Sequence, residues 1–205
     1  MRYFATLLIF LGAFFRAMSQ NGDIDLLRKI NLHGNEALDP AFRVVTNSAM
    51  PLLIAVPAGF ITACIIKKDQ RTKDKTFVVC STVIISGVVT TALKYSINRK
   101  RPFESYADIE KETSGGGPSF PSGHTSVAFS LATSVSIVCP KWYVIAPSFL
   151  WASAVAYSRM DLGVHYPTDV LAGAIVGSGS AYLSYRLNKW YLKRKQKSTP
   201  ILYEH

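Results

Sequence analysis

The chain has 205 residues, a length for one domain, with 49% hydrophobic and only 18% charged residues. Apolar residues arranged in long blocks with so little charge exclude an ordinary soluble core and point to a membrane. A net charge of +10 would fit a nucleic-acid stripe, but the excess collects on one side of the membrane segments, which excludes nucleic acid as a partner.

Arg2 precedes an apolar stretch over 3–15, and Ala17-Met18-Ser19 offers a small-x-small cleavage site before Gln20. A signal peptide and a first membrane helix both fit residues 1–19, and both place residue 20 onward outside the cytoplasm. Asp23, Ile24, Leu26, Leu27, Ile30 and Leu32 approximate helical periodicity and predict a short interfacial helix, broken by Asn31, Gly34 and Asn35. Asp39-Pro40 starts another turn.

The first spanning segment is read over 48–66, where a membrane helix tolerates Pro51 and Pro57. The second covers 76–97. It stops by about Lys100, because Pro102 drives Arg101 out of the α region. Residues 103–120 form an external loop with Glu104, Asp108, Glu110 and Glu112 against Lys111, an acidic stretch that could select headgroups. Pro121 serves as the first helical residue of a third segment, 121–138.

Cys139-Pro140-Lys141-Trp142 makes a tight turn into the shortest segment, 143–158. Residues 159–166 are a loop, and Pro167 opens the last helix, 168–187, whose Gly173 and Gly177 allow close packing. The expectation is an all-α, polytopic membrane helical bundle of five to six transmembrane helices. It divides into residues 1–19, a membrane domain over 20–192 and a basic cytoplasmic tail over 193–205.

Alternating the sides of these segments puts Arg2, the 67–75 loop, Lys141 and the tail from Arg186 together. That side holds 13 of the 23 Lys and Arg but only three of the 13 acids, and the other side balances. The positive-inside rule makes the basic side cytoplasmic. Cys64, Cys80 and Cys139 fall at cytoplasmic ends, where no disulfide is expected.

Three blocks carry chemistry, and all reach the non-cytoplasmic face. Lys94 and Arg101 are seven apart, so they begin on one helical face, although a simple interfacial cluster with Arg99 and Lys100 reads equally well. In Pro121-Ser122-Gly123-His124, Ser122 offers a hydroxyl and Gly123 lets an anion approach a helix N-terminus. His124 can donate a proton there. In the third block Arg159 can fork onto phosphate oxygens. Asp169, four residues beyond His165, can accept from one ring nitrogen and leave the other to attack phosphorus. Asp161, Tyr106, Tyr166 and the glycine run 115–117 read as ordinary loop residues.

Lys94-x6-Arg101-Pro102, Pro121-Ser122-Gly123-His124 and Ser158-Arg159-x5-His165-x3-Asp169 together resemble the type-2 phosphatidic acid phosphatase/vanadium haloperoxidase superfamily, on its membrane lipid phosphatase branch. The resemblance implies a six-helix membrane fold and a nucleophilic His165 that forms a phosphohistidine, oriented by Asp169. It implies His124 as general acid, then base, and Lys94, Arg101, Ser122, Gly123 and Arg159 as phosphate ligands. No metal and no other cofactor is implied. The expected partner is a phosphorylated lipid in the bilayer, with hydrolysis expected at the periplasmic face of the inner membrane. Undecaprenyl diphosphate, phosphatidylglycerophosphate, phosphatidate and lipid A are the candidates. The alternatives are a vanadate-dependent haloperoxidase and a non-catalytic scaffold or transporter. Oligomeric state is not legible.

Overall fold

The computed structural model describes residues 20–198, so the reading of 1–19 as signal peptide or first helix lies outside the described residues, as does the tail beyond Ser198. The described residues are helical with connecting loops and contain no strand. The helices are α1 (Gln20–Asn31), α2 (Asp39–Asn47), α3 (Ala49–Lys67), α4 (Gln70–Ile97), the single turn α5 (Pro102–Ser105), α6 (Gly123–Val138), α7 (Trp142–Asp161) and α8 (Pro167–Ser198).

Helix α6 is the axis of the bundle and packs against α3, α4, α7 and α8. Its composition explains the position. Ser126, Ala128, Ser130, Ala132 and Ser134 are small and buried, so neighbouring backbones can come close. Helix α8 meets it with glycines: a Cβ on Gly177 would stand 2.4 Å from the Ser126 carbonyl.

The distribution of side chains is inverted relative to a water-soluble protein. Thr82, Ser86, Thr90, Ser130 and Ser184 are buried, whereas Ile54, Ile66, Ile84, Val88 and Leu150 are between 64% and 74% exposed. Apolar surface of this kind on long helices is stable only against lipid. Two stretches, Glu36–Lys67 and Gln70–Ser105, are long and apolar enough to cross a bilayer, and their spanning windows are only 6% and 28% buried, unlike core helices of a soluble fold.

Several predicted boundaries move. Helix α4 ends at Ile97 with Asn98 left-handed (φ 48°), so Arg101 does not share a helical face with Lys94. Pro121 is not the first helical residue, because Ser122 is the N-cap and α6 starts at Gly123. Helix α7 continues to Asp161 and α8 runs on to Ser198, past the 187 expected. Charge does not stop a helix, and the Lys-rich end of α8 keeps good helix formers.

The acidic loop is spent on cross-ties. Asp108 takes a forked bond from Arg28 of α1 (2.7 and 3.3 Å), and Glu112 pairs with Arg43 of α2. Glu104 accepts from the Arg101 backbone N–H at 3.1 Å. A headgroup-selecting role is therefore not favoured for these three. Asn31 completes the lashing: its side chain donates to Asp161 O (2.7 Å) and Glu110 O (3.1 Å) and accepts from Glu110 N–H (3.0 Å). Gly163 sits there at φ 68°, where a Cβ would lie 2.0 Å from Glu110 O, so only glycine fits.

Candidate active site

The site lies at the end of the bundle where α4 stops and α6 begins, and where α7 turns into α8. The basic 67–75 stretch, read from the sequence as a loop, is a two-residue turn at 68–69 followed by the first turns of α4, and it and Lys141 lie at the opposite helix ends. Lys94, in the last turn of α4, donates to Pro118 O at 2.6 Å. Arg101 is 4% exposed and is held by carbonyls: Nε to Gly117 O (3.0 Å), Nη2 to Gly116 O (2.9 Å) and Nη1 to Val164 O (2.9 Å). The glycine run is therefore the seat of Arg101 rather than an ordinary loop. A Cβ on Gly115 would crowd Arg101 Nη1 at 2.8 Å.

Arg159, 1% exposed, donates to Thr46 Oγ1 (3.0 Å) and Ser114 O (3.2 Å), and its Nε has no partner among the described residues. A guanidinium has five N–H donors and an ammonium three. Lys94, Arg101 and Arg159 are thus each fixed by protein carbonyls or a hydroxyl while keeping donors in hand for an anion.

His165 leaves the α7–α8 connection with its backbone N–H bonded to Arg159 O at 3.1 Å. Its Nδ1 faces Asp169 Oδ2 and Ser119 Oγ, both at 3.4 Å, and its Nε2 faces Arg101 Nη1 at 3.4 Å. Nδ1–H directed at the carboxylate leaves the Nε2 lone pair among the cations. Burial is the largest influence and takes His165 down to about 4. The hydrogen bond and charge of Asp169 oppose it, and Arg101 and Arg159 add to it. The ring is therefore neutral near pH 7, the form a nucleophile needs.

Asp169 is wholly buried and held on both oxygens. Oδ1 accepts from Arg99 Nη1 (2.9 Å), while Oδ2 accepts from Ser119 Oγ (2.5 Å) and Tyr166 N–H (3.0 Å). These are the short bonds, and the His165 contact is the long one. Ser122 is buried, donates its N–H to Asp169 O (2.9 Å), and accepts at Oγ from Thr125 (2.9 Å). Gly123 packs against Lys94, with an added Cβ 3.8 Å from its Cε. His124, in the first turn of α6, is within electrostatic range of Lys94, Arg101, Arg159 and His165.

All eight residues singled out from the sequence thus converge on one end of the bundle. Other members of the site are harder to find in the sequence. Arg99 reads equally as an interfacial cation, though its place two residues before Arg101 is a signal. Ser119, just ahead of Pro121-Ser122, and Asp23, an acid beside Ile24 and Leu27 on the buried face of α1, are weaker ones. Thr46 and Ser114 carry none.

A buried cluster of cations around a neutral histidine, at one end of a lipid-facing helical bundle, is a set of donors suited to a phosphate-like anion. The chain belongs to the PAP2 superfamily, whose family model matches residues 75–193. It is 35% identical over 104 residues to a lipid A 4'-phosphatase of Bacteroides thetaiotaomicron, across 51% of this chain and 46% of that protein. It is 35% identical over 114 residues to an undecaprenyl-diphosphatase of Sulfolobus acidocaldarius, across 52% of this chain and 53% of that protein. The match thus spans about half the length of these curated relatives. The crystal structure of Aquifex aeolicus LpxE superposes with a TM-score of 0.69 at 28% identity, covering 82% of this chain and 97% of that one.

Proposed function

We propose that this protein is an integral membrane phosphatase that hydrolyses phosphate monoesters or pyrophosphates of lipids without a metal, through a phosphohistidine on His165. The observation that carries the reading is the orientation of His165: Nδ1 toward a carboxylate fixed on both oxygens, Nε2 beside Arg101. Lys94, Arg101 and Arg159 hold the phosphate oxygens, with Ser122 and Gly123 at the N-terminus of α6. Nε2 attacks phosphorus, a P–N bond forms and the P–O bond to the lipid breaks. His124 supplies the proton to the departing oxygen. Water then attacks the phosphohistidine as His124 takes its proton, and inorganic phosphate leaves.

Within the membrane domain over 20–192, α3, α4, α6, α7 and α8 are the five spanning helices, with residues 1–19 either a sixth or a cleaved signal. The 67–75 loop, Lys141 and the basic tail face the cytoplasm, and the site faces the periplasm from the inner membrane. A cavity of about 600 Å³ between α3, α6 and α7, lined by Leu52, Val56, Phe60, Leu131 and Trp151, supports a lipid substrate. Trp151 lies eight residues before Arg159 on α7, about 12 Å down the helix, a place for an acyl chain beneath a bound headgroup.

The test is phosphate release by detergent-purified protein in EDTA from undecaprenyl diphosphate, phosphatidylglycerophosphate, phosphatidate and lipid A, beside His165→Ala. Metal-independent release that disappears in the variant is the expected result, and the preferred lipid names the substrate. Release that survives in His165→Ala, or needs a metal, overturns the mechanism.

A further inference from the structure

Arg99 makes three side-chain hydrogen bonds at this end of the molecule, and the catalytic scheme above does not use it. Its Nη1 donates to Asp169 Oδ1 (2.9 Å) and Thr168 Oγ1 (2.8 Å), and its Nη2 donates to Asp23 Oδ2 (2.7 Å). The guanidinium lies 3.7 Å above the Tyr166 ring. Asp23 in turn accepts from Thr168 N–H (3.0 Å) and Thr168 Oγ1 (2.5 Å). The side chains of Asp23 and Asp169 are 2% and 0% exposed. The Arg99 carbonyl also accepts from Ser119 N–H at 2.7 Å, and Ser119 Oγ grips the other oxygen of Asp169.

We propose that Arg99, clamped between Asp23 of α1 and Asp169 of α8, is a positioning residue for the His165–Asp169 pair, and that α1 is thereby a working part of the active site. The inference rests on the phosphatase reading above. A carboxylate held by one neighbour can rotate about its Cβ–Cγ bond. Asp169 is held on Oδ2 by the Tyr166 N–H and by a serine whose backbone hangs from Arg99, and on Oδ1 by Arg99, so its rotation is fixed from both sides. The 3.4 Å contact with His165 Nδ1 is short enough to orient the ring only while that orientation holds.

The geometry needs a planar fork. Lysine offers one nitrogen and cannot reach both carboxylates and stack on Tyr166. Helix α1 is seated by the same residues: Ile24 and Leu27 pack with Ile109 and Tyr166, the ring beneath Arg99. Loss of the Asp23 contact therefore loosens the guanidinium that sets Asp169, although Asp23 touches neither His165 nor the phosphate ligands.

The experiment is steady-state phosphate release by full-length protein in detergent, with phosphatidate and undecaprenyl diphosphate as probes. Wild type is compared with Arg99→Lys, Arg99→Met, Asp23→Asn, the double variant Asp23→Asn/Arg99→Met, Asp108→Ala and His165→Ala. Asp108→Ala cuts a different tie of α1, to Arg28, and serves as the structural control. Loss of an orienting partner predicts kcat about 100-fold lower in Arg99→Met and about 10-fold lower in Arg99→Lys and Asp23→Asn, with KM within about threefold of wild type. The double variant matches Arg99→Met, because both changes cut one relay, and Asp108→Ala keeps full kcat.

Full kcat in a folded Arg99→Met overturns the proposal, as does a loss confined to KM or a double variant in which the two losses multiply. Should Arg99→Met fail to fold, Arg99→Lys and Asp23→Asn decide, and wild-type kcat in both overturns it. Release that survives in His165→Ala instead overturns the phosphatase mechanism.

Discussion

The two halves of the bundle use the same polar residues for opposite ends. At the site end, hydroxyls reach across the chain: Ser119 to Asp169, Thr46 to Arg159, Thr168 to Asp23. In the spanning half, hydroxyls more often bond back to their own helix, as Ser130 to Val127 O and Ser134 to Leu131 O, or have no partner among the described residues, as with Ser86, Thr90 and Ser184, while Thr76 to Phe60 O and Thr133 to Ser178 cross between helices. In the first half the hydroxyl is chosen for its bond and in the second more for its size, Thr76 and Thr133 excepted. The site end must hold three cations and a carboxylate in fixed places, and each needs several bonds to stay there. The spanning half must only bring helices close, and a hydroxyl satisfied by its own backbone does that.

Breaking the site end should therefore be costly, beginning with the chemistry. On the proposed mechanism, His165→Ala should lower phosphate release by at least about 10⁴-fold and abolish trapped phosphoenzyme, since a nucleophile at this position would have no substitute. Arg159→Lys, which loses the fork between Thr46 and Ser114, should raise KM about 10- to 100-fold, matching about 1.5–3 kcal/mol for a bond to a charged group. In the lashing around the site, Gly163→Ala should cost about 2–4 kcal/mol, because a Cβ meets Glu110 O and the left-handed backbone strains. A lowered melting temperature in detergent would check it.

The histidine itself sharpens the comparison. Its folded value of about 4 lies below the unfolded one, so the folded state binds fewer protons in between. His165 stabilisation is accordingly complete above the unfolded value and is lost as pH falls toward about 4. Its ring ¹⁵N shifts in ligand-free protein should stay those of a neutral imidazole down to about pH 5. The smallest effect is expected in the spanning half, where Thr90→Val should change stability by no more than about 0.6 kcal/mol, because no partner is lost. A larger loss on thermal unfolding in detergent would show that the buried hydroxyls of the middle, like those of the site, are held by specific bonds.

The contrast also separates what a reader of the sequence can see. Long apolar blocks and the side of the positive charge are legible because each is a local property summed along the chain. The site residues are legible because their types and spacings match a recurring pattern. Boundaries are less so. Asn98 turns left-handed and Pro121 falls outside α6, and both depend on how the 98–122 loop folds over the bundle end. The acidic stretch reads as facing substrate, yet Asp108 and Glu112 face Arg28 and Arg43, residues 80 and 69 positions away.

By itself, then, the amino-acid order determined an all-helical, lipid-facing chain and the inventory of its candidate anion site, since hydrophobicity, charge and residue type travel with each position. The tertiary structure alone decided which groups hold that inventory in place. Arg99 became the link between Asp23 and Asp169, the glycine run became the seat of Arg101, and Ser119 became a carboxylate clamp. Each of these contacts joins segments from 15 to 76 residues apart, and a partner's direction in space is set by the packing of α1, α4, α6 and α8, not by any local pattern.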